Sequence, residues 1–291
     1  MVKFRTRADI VYDVFIYAVL VFVLFVTVFP FWNQIVTALS GNQGETITFY
    51  PRSLSFQSFR LSLDYPGLWT GYRNTILRTV CGVVLSITVT ALLSYPLAKS
   101  KLPFNGLITG MVLFTMLFGG GLIPNYLLIK SLNLLDTFWA LLLPSLAGAF
   151  NVFIMRNFFR SLPDSLEESA QIDGAGYFLI FTRIVVPLSA PVLATVALWI
   201  AVHHWNAWFD AMIYISSPDK QVLQVILRKI IIENSLTDME RLTMGTSIDS
   251  LFSAKQLQAT MICLSVLPML VVYPFVQKYF VRGIMVGAVK G

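Results

Sequence analysis

Long apolar runs alternate with polar breaks along most of the 291 residues. Six of these runs, 10–32, 74–98, 106–129, 136–158, 184–215 and 257–281, are each near or above the roughly 20 residues that a helix needs to cross a bilayer. Within lipid only a helix closes its backbone hydrogen bonds inside one segment. The pattern therefore predicts an all-α integral membrane protein, with six transmembrane helices in a single domain over 1–291. The fifth run is long enough to begin with a portion lying on the membrane surface. Two hydrophilic stretches, 33–73 and 216–256, separate the first span from the second and the fifth from the sixth. The other connections are short, except for 156–183. Gly119, Gly120 and Gly121, followed by Pro124, predict either a bend in the third span or a close helix approach.

Composition narrows the class. Hydrophobic residues make up 56% of the chain and charged residues 12%, against roughly 25% charged in soluble domains, which excludes a water-soluble globular protein. The net charge of +6 would suggest nucleic acid in a soluble chain, but these basic residues flank apolar runs, where lipid headgroups are their expected partners and nucleic acid is not. Lys3, Arg5, Arg7, Lys99, Lys101, Arg156, Arg160, Arg183, Lys278, Arg282 and Lys290 all fall on one side of the six-span layout. That bias predicts a cytoplasmic face carrying both termini. Arg73 and Arg78, at the outer end of the second span, are expected to reach headgroups. Cys81 and Cys263 lie in apolar segments without CxxC or Cys/His spacing, so neither a disulfide framework nor a metal site is predicted.

One polar connection carries more information. SLPDSLEESAQIDGAG, residues 161–176, holds start signals at Pro163 and Asp164, with Glu167 three residues on in a capping-box arrangement, and stop signals at Gly174 and Gly176. A helix of two or three turns is predicted, too short to span. Leu166, Ala170 and Asp173 share one face of it, with Glu167 and Glu168 projecting sideways. Alone, this describes an amphipathic surface helix.

The spacing resembles something more specific. Glu168, Ser169 and Ala170, then three residues, Gly174, nine residues, Ile184, one residue, Val186 and Pro187 resemble the EAA loop of ABC-importer permeases, which runs E-A-A, three residues, G, nine residues, I-x-L-P. Ser169 stands where that family usually has Ala, and Val186 where it has Leu. The six-span layout, Asp173-Gly174-Ala175, and Pro187 with Pro191 look like the carbohydrate-uptake branch. Stretches 119–144, 151–159 and 205–214 look more narrowly like the LplC/YtcP-type oligosaccharide permeases.

The resemblance implies the ABC-importer permease fold, with loop 161–187 forming a cytoplasmic coupling helix. Glu167, Glu168, Ser169, Ala170, Asp173, Gly174 and Ala175 would then meet a partner ATPase. It also implies a second, non-identical permease subunit, two cytoplasmic ATPase subunits that bind ATP and magnesium, and an extracytoplasmic sugar-binding protein docking on the two long loops. The chain would sit in the bacterial cytoplasmic membrane as a multi-pass protein, with no cofactor and no catalysis of its own. The sequence is consistent with that reading, since it lacks a phosphate loop, an H-E-x-x-H helix and a G-x-S-x-G elbow.

Polar groups at membrane depth are costly and mark candidate sites. Trp199, His203, Asn206 and Asp210 follow i, i+4, i+7 and i+11 spacing, a stripe about 60° wide on one helix. Rings stack on pyranose C–H faces, and Asn and Asp bond hydroxyls, so the stripe suits a sugar path; the same groups also serve interhelical packing. Asn125, Tyr126 and Asn151 are further path candidates. His203 and His204 point about 100° apart, which does not make a metal site. A secondary transporter would need ion-coupling groups at the midplane, and a membrane enzyme a convergent acid, base or metal set. The sparse acidic residues and the EAA-type loop argue against the first; for the second only the fifth-span group offers candidates, and it lacks a recognisable nucleophile. An ABC permease for a non-sugar solute stays open.

Overall fold

A computed structural model of the chain describes residues 7–41, 49–51, 53–232, 255–272 and 274. Lys3, Arg5, much of the long loop 216–256, the end of the sixth expected span and the C-terminal cations lie outside the described residues. No strand occurs among those described. Three unbroken helices are long and apolar enough to cross a membrane, and three bent helix pairs bring the number to six if each pair is one span.

The contacts divide the chain into two compact units, 1–66 with 227–267 and 67–226 with 268–291. In the first, α1 (Arg7–Leu39) extends beyond its expected end at residue 32, and its apolar side chains are exposed over most of its length. Its C-terminal end is the buried part: Val36 and Ala38 are covered. Ser58 Oγ, on the short α2 (Gln57–Leu63), donates to the Ala38 carbonyl at 2.7 Å, and Gln256 Nε2 donates to the Ser40 carbonyl at 2.5 Å.

The second unit is built around α3 (Leu68–Ala98), an unbroken helix of 31 residues. Thr75, Arg78, Gly82, Ser86, Thr90 and Ser94 recur every three or four residues and are all buried, so one face of α3 is a stripe of mainly small and hydroxyl side chains. Small residues let helix backbones approach closely where apolar burial supplies no drive between helices in lipid. Against this stripe pack α6 (Ala149–Arg160) and α10 (Ala190–Asn206). The shared core holds Tyr95, Met155, Phe159, Phe181, Val196 and Ile200. A Cβ on Gly82 would run into the His204 ring, which shows how close the approach of α10 is. The last carbonyls of α3 are satisfied from outside the helix, Leu97 accepting from Arg156 Nε at 2.8 Å.

The remaining pieces are interrupted. Between α4 (Asn105–Leu117) and α5 (Leu122–Ser131) the path bends by 113°. Gly120 and Gly121 have φ of 66° and 92°, and a Cβ on Gly119 would touch nothing within 4 Å. The triplet therefore serves the backbone bend, and no other helix of this chain approaches Gly119 among the described residues. A 51° bend separates the 3₁₀ turns of Phe138–Ser145 from α6. After α7 (Asp164–Ile172), α8 (Tyr177–Ile180), a π-helical turn (Phe181–Val185) and α9 (Val186–Leu188) form one helical piece set at 80° to α10. The expected continuous run 184–215 is thus corrected: α10 ends at Asn206, Ala207 is extended, and α11 (Phe209–Tyr214) is a separate short helix.

Candidate functional site

Two places in the second unit collect the chemistry. The first is an open cavity of about 550 Å³ at the junction of α10 and α11, lined by Leu141, Pro144, Ser145, Val202, His203, Asn206, Trp208, Phe209, Asp210 and Tyr214 among others. Of the expected stripe, His203, Asn206 and Asp210 reach it. Trp199 does not; its ring lies 5.7 Å from that of Phe150 on α6. The stripe also fails as a single helical face, because the break at Ala207 and Trp208 sets Asp210 on a different helix. Asn206 Nδ2 donates to the Val202 carbonyl of its own helix at 2.9 Å.

The weaker candidates stand outside the cavity lining. Asn125 is exposed and donates to the Gly119 carbonyl at 3.3 Å, holding the bend between α4 and α5. Tyr126 stacks at 6.3 Å on Tyr214 and so backs the cavity wall. Asn151 sits half-buried beside Gly148.

Asp210 meets a group that the sequence reading sent to the lipid headgroups. Arg78 is fully buried. Its Nη1 donates to Asp210 Oδ1 at 3.2 Å and to the Ala207 carbonyl at 3.3 Å, and its Nη2 donates to Asp210 Oδ2. Asp210 Oδ1 also accepts the Ala211 N–H at 2.8 Å. The guanidinium therefore ties the extended residue of the α10–α11 break to the first turn of α11. A lone Arg within an apolar span was the available signal, since such a charge needs a partner; the partner, 132 residues away, was not readable.

A second acidic residue lies just ahead of the 3₁₀ turns of Phe138–Ser145, outside the helical part of the fourth span. Asp136, at φ 57°, accepts from Ser217 N at 2.9 Å, Ser217 Oγ at 2.5 Å, Ser216 N at 3.1 Å and Lys220 Nζ at 2.9 Å. The Ser217 hydroxyl and N–H, then Lys220, hold its carboxyl well below the usual aspartate range. Its own N–H donates to the Tyr214 carbonyl at 2.8 Å, tying the end of α11 in place. No sequence motif pointed to it.

The second place is α7, the helix marked by the EAA pattern. It forms over Asp164–Ile172, but Pro163 is its N-cap and no side chain caps it, so the expected capping box is absent. Glu167 is also not a sideways-projecting carboxylate. It is buried, accepting from Lys99 Nζ at 2.5 Å and from Tyr95 OH at 3.3 Å, while Lys99 Nζ lies 5.1 Å from the Tyr95 ring centroid. Tethered to the end of α3, Glu167 cannot act as the exposed member of the pair. Glu168, Ser169 and Asp173 are exposed, with Ser169 Oγ bonded back to the Ser165 carbonyl at 2.8 Å.

Ala170 and Ala175 pack against the core. Gly174, at φ 84°, ends the helix in a Schellman arrangement: Ala175 N donates to the Ala170 carbonyl at 2.9 Å and Gly174 N to the Gln171 carbonyl at 3.0 Å. A Cβ there would meet nothing within 4 Å, so the glycine answers a backbone demand. Facing outward beside Glu168 are Leu166, Ile172, Tyr177 and Phe178, the last three 65% to 86% exposed. Such an apolar patch edged with carboxylates suits a protein partner.

Comparison with known proteins agrees with this architecture. The model of a family described as binding-protein-dependent transport system inner membrane component matches residues 2–286. Protein LplC of Bacillus subtilis (strain 168) is 38% identical, over 99% of this chain and 97% of its own. The polygalacturonan/rhamnogalacturonan transport system permease protein YtcP of the same organism is 36% identical, over 96% and 98%. Among solved structures, a chain of a bacterial ABC transporter involved in the import of the acidic polysaccharide alginate superposes with a TM-score of 0.86 at 32% identity, covering 96% of this chain and 99% of that one. A chain of the alginate transporter in complex with an alginate pentasaccharide-bound periplasmic protein shares the fold, with a TM-score of 0.59 at 15% identity.

Proposed function

The chain belongs to the binding-protein-dependent transport system inner membrane components, as a permease subunit of an ABC importer whose ATP hydrolysis lies in separate subunits, and from that premise we propose that its cargo is an oligosaccharide moved into the bacterial cytoplasm. The observation that carries the proposal is the cavity at the α10–α11 break. Rings of Trp208 and Tyr214 and the polar side chains of His203 and Asn206 surround it, the combination that stacks on sugar C–H faces while bonding hydroxyls. Two of the similar proteins are named for acidic polysaccharides, so a uronate-containing oligosaccharide is the first cargo to test.

In this reading α7 is the coupling helix. Glu168, Asp173 and the exposed apolar residues Leu166, Ile172, Tyr177 and Phe178 meet a cytoplasmic ATPase, two of which bind ATP and magnesium. Ala170, Ala175 and Gly174 shape the helix and its exit, and a second, non-identical permease completes the pore. An extracytoplasmic binding protein delivers the sugar at the opposite face, and both termini are cytoplasmic.

The test is to reconstitute the complete transporter and measure ATPase stimulation and uptake with the binding protein loaded from a panel of neutral and uronate oligosaccharides, amino acids and ions. Oligosaccharides alone should stimulate, and Asn206→Ala and His203→Ala should weaken uptake beyond any loss of assembly. Stimulation by a non-sugar cargo only would overturn the assignment. For orientation, a thiol at Gly176→Cys should label from the cytoplasmic side and one at Ser55→Cys from outside.

A further inference from the structure

The two acidic residues that the sequence offered as contacts for outside molecules, Glu167 for an ATPase and Asp210 for a sugar, both turn inward, and both turn to α3. Glu167 takes Lys99 Nζ and Tyr95 OH at one end of it. Asp210 takes the Arg78 guanidinium about a third of the way along it from Leu68, both of its oxygens engaged. From Arg78 to Lys99 an α-helix rises about 30 Å, the thickness of the hydrocarbon core of a bilayer.

We propose that α3 is the mechanical link between the coupling helix and the cavity, clipped to α7 through Glu167 and to the α10–α11 break through Asp210. The inference rests on the reading of α7 as the helix driven by the ATPase. It makes Glu167, Tyr95, Lys99, Arg78 and Asp210 positioning residues, none of them a sugar or ATPase ligand.

Three features support the link. First, α3 is unbroken over 31 residues, whereas the neighbouring pieces bend by 113°, 51° and 80°; an unbroken helix carries a displacement from one face to the other, where a sharp bend between two pieces offers a hinge that absorbs it. Second, each short helix presents its carboxylate in its first turn, Glu167 in α7 and Asp210 in α11, so moving the helix moves the pair. Third, Arg78 holds the Ala207 carbonyl, in the first residue of the break, and Asp210 in the helix that follows it. A shift of α3 therefore acts on the angle between α10 and α11, whose residues line the cavity.

The alternative is two independent structural clips about 30 Å apart. Distant, uncoupled sites add in free energy, so their effects multiply, whereas two breaks in one link do not compound. In the reconstituted transporter, Glu167→Gln and Asp210→Asn keep the size and part of the hydrogen bonding of each side chain while removing its charge. Each should lower uptake per ATP hydrolysed by about fivefold or more, the low end of ordinary coupling energies. The double variant should fall no further than the worse single one, and the swapped pair Glu167→Lys with Lys99→Glu should recover most of the loss.

A second measurement needs no sugar. Hydrogen exchange at 207–214 in the assembled complex should differ between the nucleotide-free and the vanadate-trapped states of the wild type, and Glu167→Gln should abolish that difference. Multiplying effects in the double variant, or an undiminished exchange response in Glu167→Gln, would overturn the link. If the exchange response is present but no saccharide stimulates the wild type, the cargo assignment falls and the link stands.

Discussion

Two ion pairs hold α3, one at its C-terminal end and one about a third of the way along it from Leu68, and they differ in chemistry and in water. At the C-terminal end a lysine meets a glutamate beneath a tyrosine ring, and the lysine side chain keeps 26% of its surface exposed. At the other site, a fully buried arginine meets an aspartate that is 29% exposed, through a two-pronged contact. A lysine is a flexible point charge that can swing toward solvent when its partner is lost. A guanidinium enclosed on every side has no such refuge, and its planar fork fixes the direction of the carboxylate as well as its distance. The coupling end is thus built to hold while tolerating movement, and the cavity end to hold one geometry.

The largest test of this contrast is Asp210→Ala. Removing one partner strands the other as an uncompensated buried charge, which costs about 3–5 kcal/mol. Thermal melting of the assembled complex should show a loss of that size, and Arg78→Met in the same chain should recover much of it. A loss below about 1 kcal/mol, the value of surface pairs, would show that Arg78 reaches water.

The second test asks whether the tight geometry extends along the helix. Gly82→Ala sets a methyl group against the His204 ring and should destabilise by about 1–3 kcal/mol, the ordinary cost of overpacking. His204→Ala should suppress the effect if steric contact is its cause. At the coupling end, Glu167→Ala should cost only about 1–2 kcal/mol, because Lys99 re-solvates and the Tyr95 hydroxyl loses one bond. Equal losses from Glu167→Ala and Asp210→Ala would erase the distinction between the ends.

The smallest effect concerns Asp136, whose Ser217 and Lys220 partners lie partly in water. Its carboxyl ionises more readily folded than unfolded, so the clamp contributes fully above about pH 4, the ordinary aspartate range, and loses that contribution as the pH falls toward the lowered value. The melting temperature of the wild type should begin to approach that of Asp136→Asn as the pH falls below about 4 and keep converging on further acidification, and added salt should narrow the gap at neutral pH. A gap that widens on acidification would mean that the carboxyl is held neutral.

The membrane class, the helical architecture and the special loop were all legible in the residues. Run length against bilayer thickness suffices for the first two, and the Glu168 to Pro187 spacing for the third. These are local properties, set by rise per residue, capping and the φ demand of a glycine such as Gly174, and the chain carries them wherever it folds. The bend at Gly119–Gly121 was half legible: glycines mark a permissive backbone, and the positive φ of Gly120 and Gly121 shows that the backbone uses it.

Tertiary structure alone decided where the charges went. Periodicity placed Trp199, His203, Asn206 and Asp210 on one face because it assumed an unbroken helix; the break at Ala207 and Trp208 answers to Arg78, which lies 132 positions from Asp210 in sequence. Glu167 faces inward rather than outward because Lys99 and Tyr95 stand beneath it, 68 and 72 positions away. A buried charge takes the nearest opposite charge in space, since in a low-dielectric interior an unpaired ion costs more than a bent helix or a rotated side chain. Nearness in space between residues of different helices is a property of the packing, and a helical period read along one segment contains no information about it.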